Sequence, residues 1–221
     1  MIPEKKITLV PNGLNDEFVP LSDEERISLR KRYGVSQQDF VIIFAGRIDP
    51  VKGISILLNA FNLILVKYQN IRLFIAGDGD YKASLKNASP HWANITFTGF
   101  VNKDELYSLY TIADIGVVPS LHEEFGYVAL EMMMMNLPLV VSQTTGLSEM
   151  VKDGVNGLTA NLSSSQDQQN ELTRILADKI LTLIGDESLR REYRENGRKR
   201  FLDVYKTEYF RNEMVDFYHK S

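Results

Sequence analysis

Five short runs of this 221-residue sequence are almost unbroken in apolar residues: FVIIFAG (40–46), IRLFIAG (71–77), ITFTG (95–99), IGVVPS (115–120) and LPLVVS (137–142). A strand with one face in water alternates apolar and polar residues. A run apolar at nearly every position suits a strand buried on both faces, as in a parallel sheet covered by helices. Parallel neighbours also need a crossover between them, and the intervening segments 53–68, 80–88, 102–112 and 126–135 have helical character. In GISILLNAFNLILVKY the apolar positions Ile56, Leu57, Ala60, Phe61, Ile64 and Leu65 recur at helical spacing. Strand, loop and helix in repetition imply right-handed crossovers and a Rossmann-like, doubly wound α/β sheet. Residues 167–219 read as a helical C-terminal tail, with Gly185 and Asp186 separating two helices and Gly197 weakening the second. SSSQDQQN (163–170) reads as a polar surface loop.

Composition narrows the chemistry. The formal net charge is -4, with 25 basic and 29 acidic residues, so no general basic field points to nucleic acid as a partner. The absence of cysteine excludes disulfides and thiolate zinc sites, and the three histidines are never at metal-ligand spacing. No run approaches the roughly 20 apolar residues that span a bilayer, and no signal peptide is visible, so the expectation is a cytoplasmic protein. LRREYRENGRKRF (189–201) places six basic residues on a helix. A solvated face is the favoured reading, and peripheral contact with anionic lipid at the inner face of the membrane is the functional alternative. The MMMM run (132–135) reads as core packing rather than a soft-metal site, which would bring His or Cys nearby.

Open α/β sheets bind ligands outside the carboxyl ends of their strands, which directs attention to the loops after Gly46, Gly77, Gly99, Ser120 and Ser142. In GRIDPVKG (46–53) the cations Arg47 and Lys52 stand at the two ends of one tight loop before a helix. A planar fork, a point charge and a helix N-terminus together favour a phosphate; a loop with solvated charges is the equally weighted alternative. The loop ends KG, unlike a Walker A loop. GDGD (77–80) reads by itself as a tight turn. PSLHEEFGYVALEMM (119–133) sets Glu123 before a helix and Glu131 within it. Glu131 has apolar neighbours, so its carboxylate is expected to have a hydrogen-bonding role. Free N–H groups at the helix start, around Tyr127 and Val128, suit a phosphate. Glycines 146, 154 and 157 in TTGLSEMVKDGVNGL (144–158) are explained by turns, with Ser148 and Glu149 opening a short helix.

VPNGLN (10–15), GRIDPVKG, LFIAGDGD (73–80), FTGFV (97–101), ADIGVVPSLHEEFGYVALEMM (113–133) and GLSEMVKDGVNGL (146–158) follow one another in the order found in glycosyltransferase family 4. The chain resembles the C-terminal, nucleotide-sugar-binding half of these GT-B enzymes over about residues 7–160, and the helical tail fits as well. The resemblance implies a retaining hexosyltransferase that needs no metal ion or other cofactor and favours a UDP-sugar over a GDP-sugar. It assigns the diphosphate to Arg47 and Lys52, the donor sugar to Glu123 and the ribose hydroxyls to Glu131, and counts Gly46 among the donor-binding residues. It assigns backbone contacts to Phe125, Gly126, Tyr127 and Val128, and the nucleobase wall to Phe100 and Val101; Glu123, Arg47 and Lys52 would be catalytic. It divides the chain into an interdomain linker (1–15), a donor-binding domain (16–185) and C-terminal helices (186–221) that pack on it or on an N-terminal acceptor domain outside this sequence. Leu147 departs from the pattern, standing where a second glycine is usual. The competing readings are a non-catalytic subunit that uses the same fold for protein docking, and a sugar-nucleotide epimerase.

Overall fold

The structure, a computed structural model, describes residues 10–162 and 169–220. Six strands form one sheet: β1 (Phe40–Ala45), β2 (Ile71–Ala76), β3 (Ile95–Gly99), β4 (Ile115–Val118), β5 (Leu139–Ser142) and β6 (Leu158–Ala160). Their order is β3-β2-β1-β4-β5-β6 and every pairing is parallel. The five apolar runs are therefore five of the strands. The sixth, LTA, is only three residues long and starts at Leu158, where the segment read as glycine turns and a short helix ends.

The helices are α1 (Asp23–Arg32), α2 (Ile54–Leu65), α3 (Tyr81–Ala88), α4 (Lys103–Ile112), α5 (Tyr127–Met134), α6 (Thr145–Met150), α7 (Gln169–Gly185), α8 (Glu187–Val204) and α9 (Thr207–Lys220). The unbroken apolar character of β1 has the cause inferred from sequence. Ile42 and Phe44 face a layer built with α2 and α7, while Val41 and Ile43 face one containing Met132 and Met133 of α5 and Phe201 of α8. The methionine run is core: Met132, Met133 and Met134 are fully buried.

Three local expectations change. Helix α6 starts at Thr145, not at Ser148, so Gly146 lies inside it. Of the expected loop 163–170, residues 163–168 lie outside the described residues, and Gln169 and Asn170 already belong to α7. The basic stretch of α8 is largely turned inward. Arg190 donates to Leu183 O and Ile184 O, Arg198 to Met134 O and both Asp16 carboxylate oxygens, and Arg200 to Glu149 O. These cations cover carbonyls at helix ends, where the macrodipole is negative, so most of their charge is not available to a lipid surface. Among the described residues no helix is long and apolar enough to cross a membrane.

Candidate functional site

The strand order reverses between β1 and β4, and a crevice opens at the carboxyl ends of strands at such a switch point. The loops leaving β1 and β4 meet there. Leu121 N donates to Val51 O at 2.7 Å, and Gly53, with φ +70, passes so close that a Cβ would lie 2.0 Å from Pro119 O. Only glycine supplies that combination of left-handed backbone and close approach.

This junction brings together two side chains far apart in sequence. Lys52 Nζ lies 2.6 Å from Glu123 Oε2, each side chain about three-quarters buried, and Ser120 Oγ is 3.4 Å from the same oxygen. Asp49 organises the loop: its Oδ1 accepts from Lys52 N at 3.0 Å while its Oδ2 accepts from Arg47 Nε at 2.6 Å. The Arg47 side chain is otherwise exposed. On the other flank Gly146 N donates to Glu123 O at 3.1 Å, and a Cβ on Gly146 would lie 2.4 Å from the Glu124 backbone. Gly146 is thus needed for α6 to press against the Glu123 loop.

Beside this pair is a cleft of about 410 Å³, lined by the Gly46–Arg47 and Gly77–Asp78 turns, Phe100 and Val101, and Val128 and Glu131 of α5. The two turns interlock: Gly46 N donates to Ala76 O, and a Cβ on Gly77 would lie 1.8 Å from Gly46 O. Phe100 is 83% exposed at the cleft mouth. Tyr110, buried in α4, donates its hydroxyl to Glu131 Oε2 at 3.3 Å. Burial raises the Glu131 carboxyl above its usual range; the Tyr110 hydrogen bond and Lys103 oppose that shift, and Glu17 adds to it. Tyr107, whose ring lies 6.1 Å from that of Tyr110, is pushed up to about 12, mainly by burial. Gly126, the residue before α5, has φ +97 and gives no side-chain cap to the first N–H groups of the helix. Leu147, fully buried, fills the space under Gly126, where a Cβ would meet it at 2.7 Å.

The sequence profile of glycosyl transferases, group 1, matches residues 25–200. The chain belongs to this family. It is 39% identical over 181 residues to an uncharacterized glycosyltransferase of Methanocaldococcus jannaschii, a match covering 80% of this chain and 46% of that protein. It is 32% identical over 190 residues to the lipopolysaccharide 1,2-N-acetylglucosaminetransferase of Salmonella typhimurium, covering 80% and 49%. Among solved GT-B structures, it superposes with a TM-score of 0.83 on Anabaena HepE in complex with UDP and glucose (22% identity, 97% of this chain, 57% of that one). With the C-terminal domain of the group 1 protein LpcC from Francisella tularensis the TM-score is 0.74 at 26% identity, over 88% of this chain and 100% of that one. The chain spans about half the length of the curated relatives it matches.

Within this group 1 domain the residues singled out from sequence divide between two adjoining places. Gly46, Arg47, Phe100, Val101, Val128 and Glu131 line the cleft. Lys52 and Glu123 form the ion pair, while Phe125, Gly126 and Tyr127 are the turn into α5. Sequence reasoning passed over Asp49, although it stands two residues after Arg47, and Tyr110, whose position on another helix carries no local signal. It also left Gly77 and Asp78 as a simple turn, whereas they form a wall of the cleft.

Proposed function

We propose that this domain binds the donor of a glycosyl transfer reaction, a nucleoside diphosphate sugar, as the C-terminal half of a retaining GT-B enzyme of family 4. The enzyme transfers a hexosyl unit to a glycan, lipid-linked or protein acceptor. Residues 1–15 act as the interdomain linker, 16–185 as the donor-binding domain and 186–221 as C-terminal helices that pack on it or on a second domain, which supplies the acceptor site. The observation that carries this reading is the meeting, at the switch point of the sheet, of a Lys52–Glu123 pair with a cleft holding a half-buried carboxylate.

The chemistry fits an elongated, anionic ligand with a polyol. Arg47 and Lys52 suit the diphosphate, and a diphosphate beside Lys52 would compete with the Glu123 carboxylate for its ammonium. Glu123 then faces the donor sugar. Glu131 offers two acceptor oxygens to vicinal ribose hydroxyls, and Phe100 and Val101 suit the face of a nucleobase. The uncapped amides from Phe125 to Val128 suit phosphate or sugar oxygens. When the glycosidic bond to the diphosphate breaks, its leaving oxygen gains negative charge. Fixed cations at that oxygen stabilise the transition state, and one such lost contact costs on the order of 100-fold in rate. The reading assigns catalysis to these side chains without a metal, and favours a UDP-sugar. Calorimetric titration of UDP, GDP and ADP into the chain tests it. UDP is expected to bind and the Arg47→Ala, Lys52→Ala double variant to lose that binding; no measurable binding of any of the three would refute it.

A further inference from the structure

A second cavity, of about 200 Å³, opens at the amino-terminal ends of β4 and β5, between α1, the C-terminal ends of α4 and α5, and α8. Phe18, Leu21, the Tyr110 ring and Leu137 give it an apolar wall; its polar lining includes Arg26, Asn136 and Arg194. It has none of the residues given to the donor; Tyr110, through its hydroxyl, and Met135, through its amide, link it to Glu131.

Arg194 is the unusual member. Its Nε is shut off from solvent and has no hydrogen-bond partner, and among the described residues no carboxylate or carbonyl pairs with its guanidinium. A cation beside helix C-termini ordinarily serves to cap their free carbonyls, but those carbonyls are already taken. Thr111 O accepts from Arg26, and Ile112 O from Arg26 and Arg30. Glu131 O, Met132 O and Met133 O accept from the amides of Met135, Leu137 and Asn136, and Met134 O accepts from Arg198. Asp114, the nearby acid, is likewise occupied: Oδ1 by Arg26, and Oδ2 by Arg30 and the amide of Val41. Burial and the charge of Arg26 hold the Arg194 guanidinium below its usual pKa, while Asp114 and Glu187 oppose that shift and Arg190 adds to it. Arg190 and Glu187 offset one another. Arg26, Arg30 and Arg194 against Asp114 leave an excess of positive charge at a cavity with unused donors. Unpaired charged donors in a confined space are costly, and an oxyanion relieves that cost by charge-assisted hydrogen bonds.

We propose that this cavity is a binding site for a small organic oxyanion, a phosphate monoester or a carboxylate, held by Arg194 and the outer edge of Arg26. Asn136, whose φ of +59 is the only left-handed backbone among the described non-glycine residues, adds a neutral amide donor. The apolar wall takes the body of the ligand.

The probes are inorganic phosphate and acetate, titrated as sodium salts into the whole chain against chloride at matched ionic strength. The Arg194 Nε–H signal in proton–nitrogen correlation spectra is the readout, supported by thermal unfolding. A saturating shift is expected with at least one oxyanion, and the tighter of the two identifies the head group. The shift persists in the Arg47→Ala, Lys52→Ala variant, which separates this site from the donor site whether or not the donor reading holds. Thermal unfolding shows the affinity weakened about tenfold or more by Arg194→Met. Asn136→Asp, which puts a competing carboxylate into the cavity and leaves α8 intact, does the same and keeps the test decisive should Arg194→Met fail to fold. A linear response equal to that of chloride, saturation lost with Arg47 and Lys52, or saturation unchanged by Asn136→Asp would each overturn the proposal.

Discussion

Glu123 and Glu131 lie on one stretch of chain, yet the fold holds them by opposite means. Glu123 sits in the loop after β4, its charge met directly by Lys52 at 2.6 Å. Glu131 sits in α5 with, among the described residues, no cation in hydrogen-bonding contact, steadied by the buried hydroxyl of Tyr110 and raised in pKa by burial. The first carboxylate is balanced by a partner from the neighbouring loop, so its position depends on how the β1 and β4 loops dock. The second is oriented by a hydrogen bond from a buried tyrosine on another helix, at the expense of desolvation. A ligand engaging both would exchange an ion pair at one end and meet a prepositioned acceptor at the other.

Breaking the docked loops is expected to have the largest effect. Gly53→Ala forces an L-residue into the left-handed region against Pro119 O and is expected to destabilise the chain by about 3 kcal/mol, read from urea unfolding, with nucleotide binding lost because Lys52 and Glu123 no longer meet. Lys52→Ala leaves the fold but removes the cation from both Glu123 and an incoming phosphate. UDP affinity is expected to fall by about 2 kcal/mol, roughly thirtyfold in Kd, by calorimetry; an unchanged Kd would detach this pair from the ligand. Tyr110→Phe acts only on the other carboxylate. Losing its hydrogen bond is expected to weaken UDP by about 1 kcal/mol, with Lys52-dependent binding intact.

The smallest effect separates the two carboxylates by stability. Because the folded pKa of Glu131 is raised, the folded chain binds more protons than the unfolded one between the unfolded value and the raised folded one. Its contribution is therefore fully present at low pH and is lost as pH rises through the folded pKa. Glu131→Gln is expected to remove that dependence and to stabilise the chain by about 0.5 kcal/mol near neutrality, in urea unfolding compared near pH 4 and near pH 7. Destabilisation at neutral pH instead would mean that the Glu131 charge is well solvated.

The fold was legible wherever burial on two faces left unbroken apolar runs, which is why β1 to β5 appear in the sequence. β6 is three residues long, too short for periodicity, and gains its place by pairing with β5. Helix α1 has a capping box between Ser22 and Glu25 but almost no apolar stripe, so its strongest signal was a short motif that was not read. In the site, Arg47 and Lys52 were visible as charges in one short loop. The contact of Lys52 with Glu123 was not, because the adjacency of β1 and β4 creates it across 71 residues. Glu131 was readable from its apolar neighbours, but its partner Tyr110 belongs to another helix and looks in sequence like any aromatic core residue. The six cations of 189–201 were read as a solvated face or a lipid contact; Arg190, Arg198 and Arg200 instead close helix ends, a use that only the packing of α8 reveals.

The central claim is that the two carboxylates serve opposite ends of one nucleotide sugar, with Glu131 on the ribose. Calorimetric titration of UDP and of 2′,3′-dideoxy-UDP into the wild-type chain and into Glu131→Ala tests it most directly. The account predicts that wild type prefers UDP, that Glu131→Ala loses this preference, and that both proteins bind the dideoxy compound alike. Equal weakening of both ligands by Glu131→Ala, or a wild type that does not tell them apart, would contradict it.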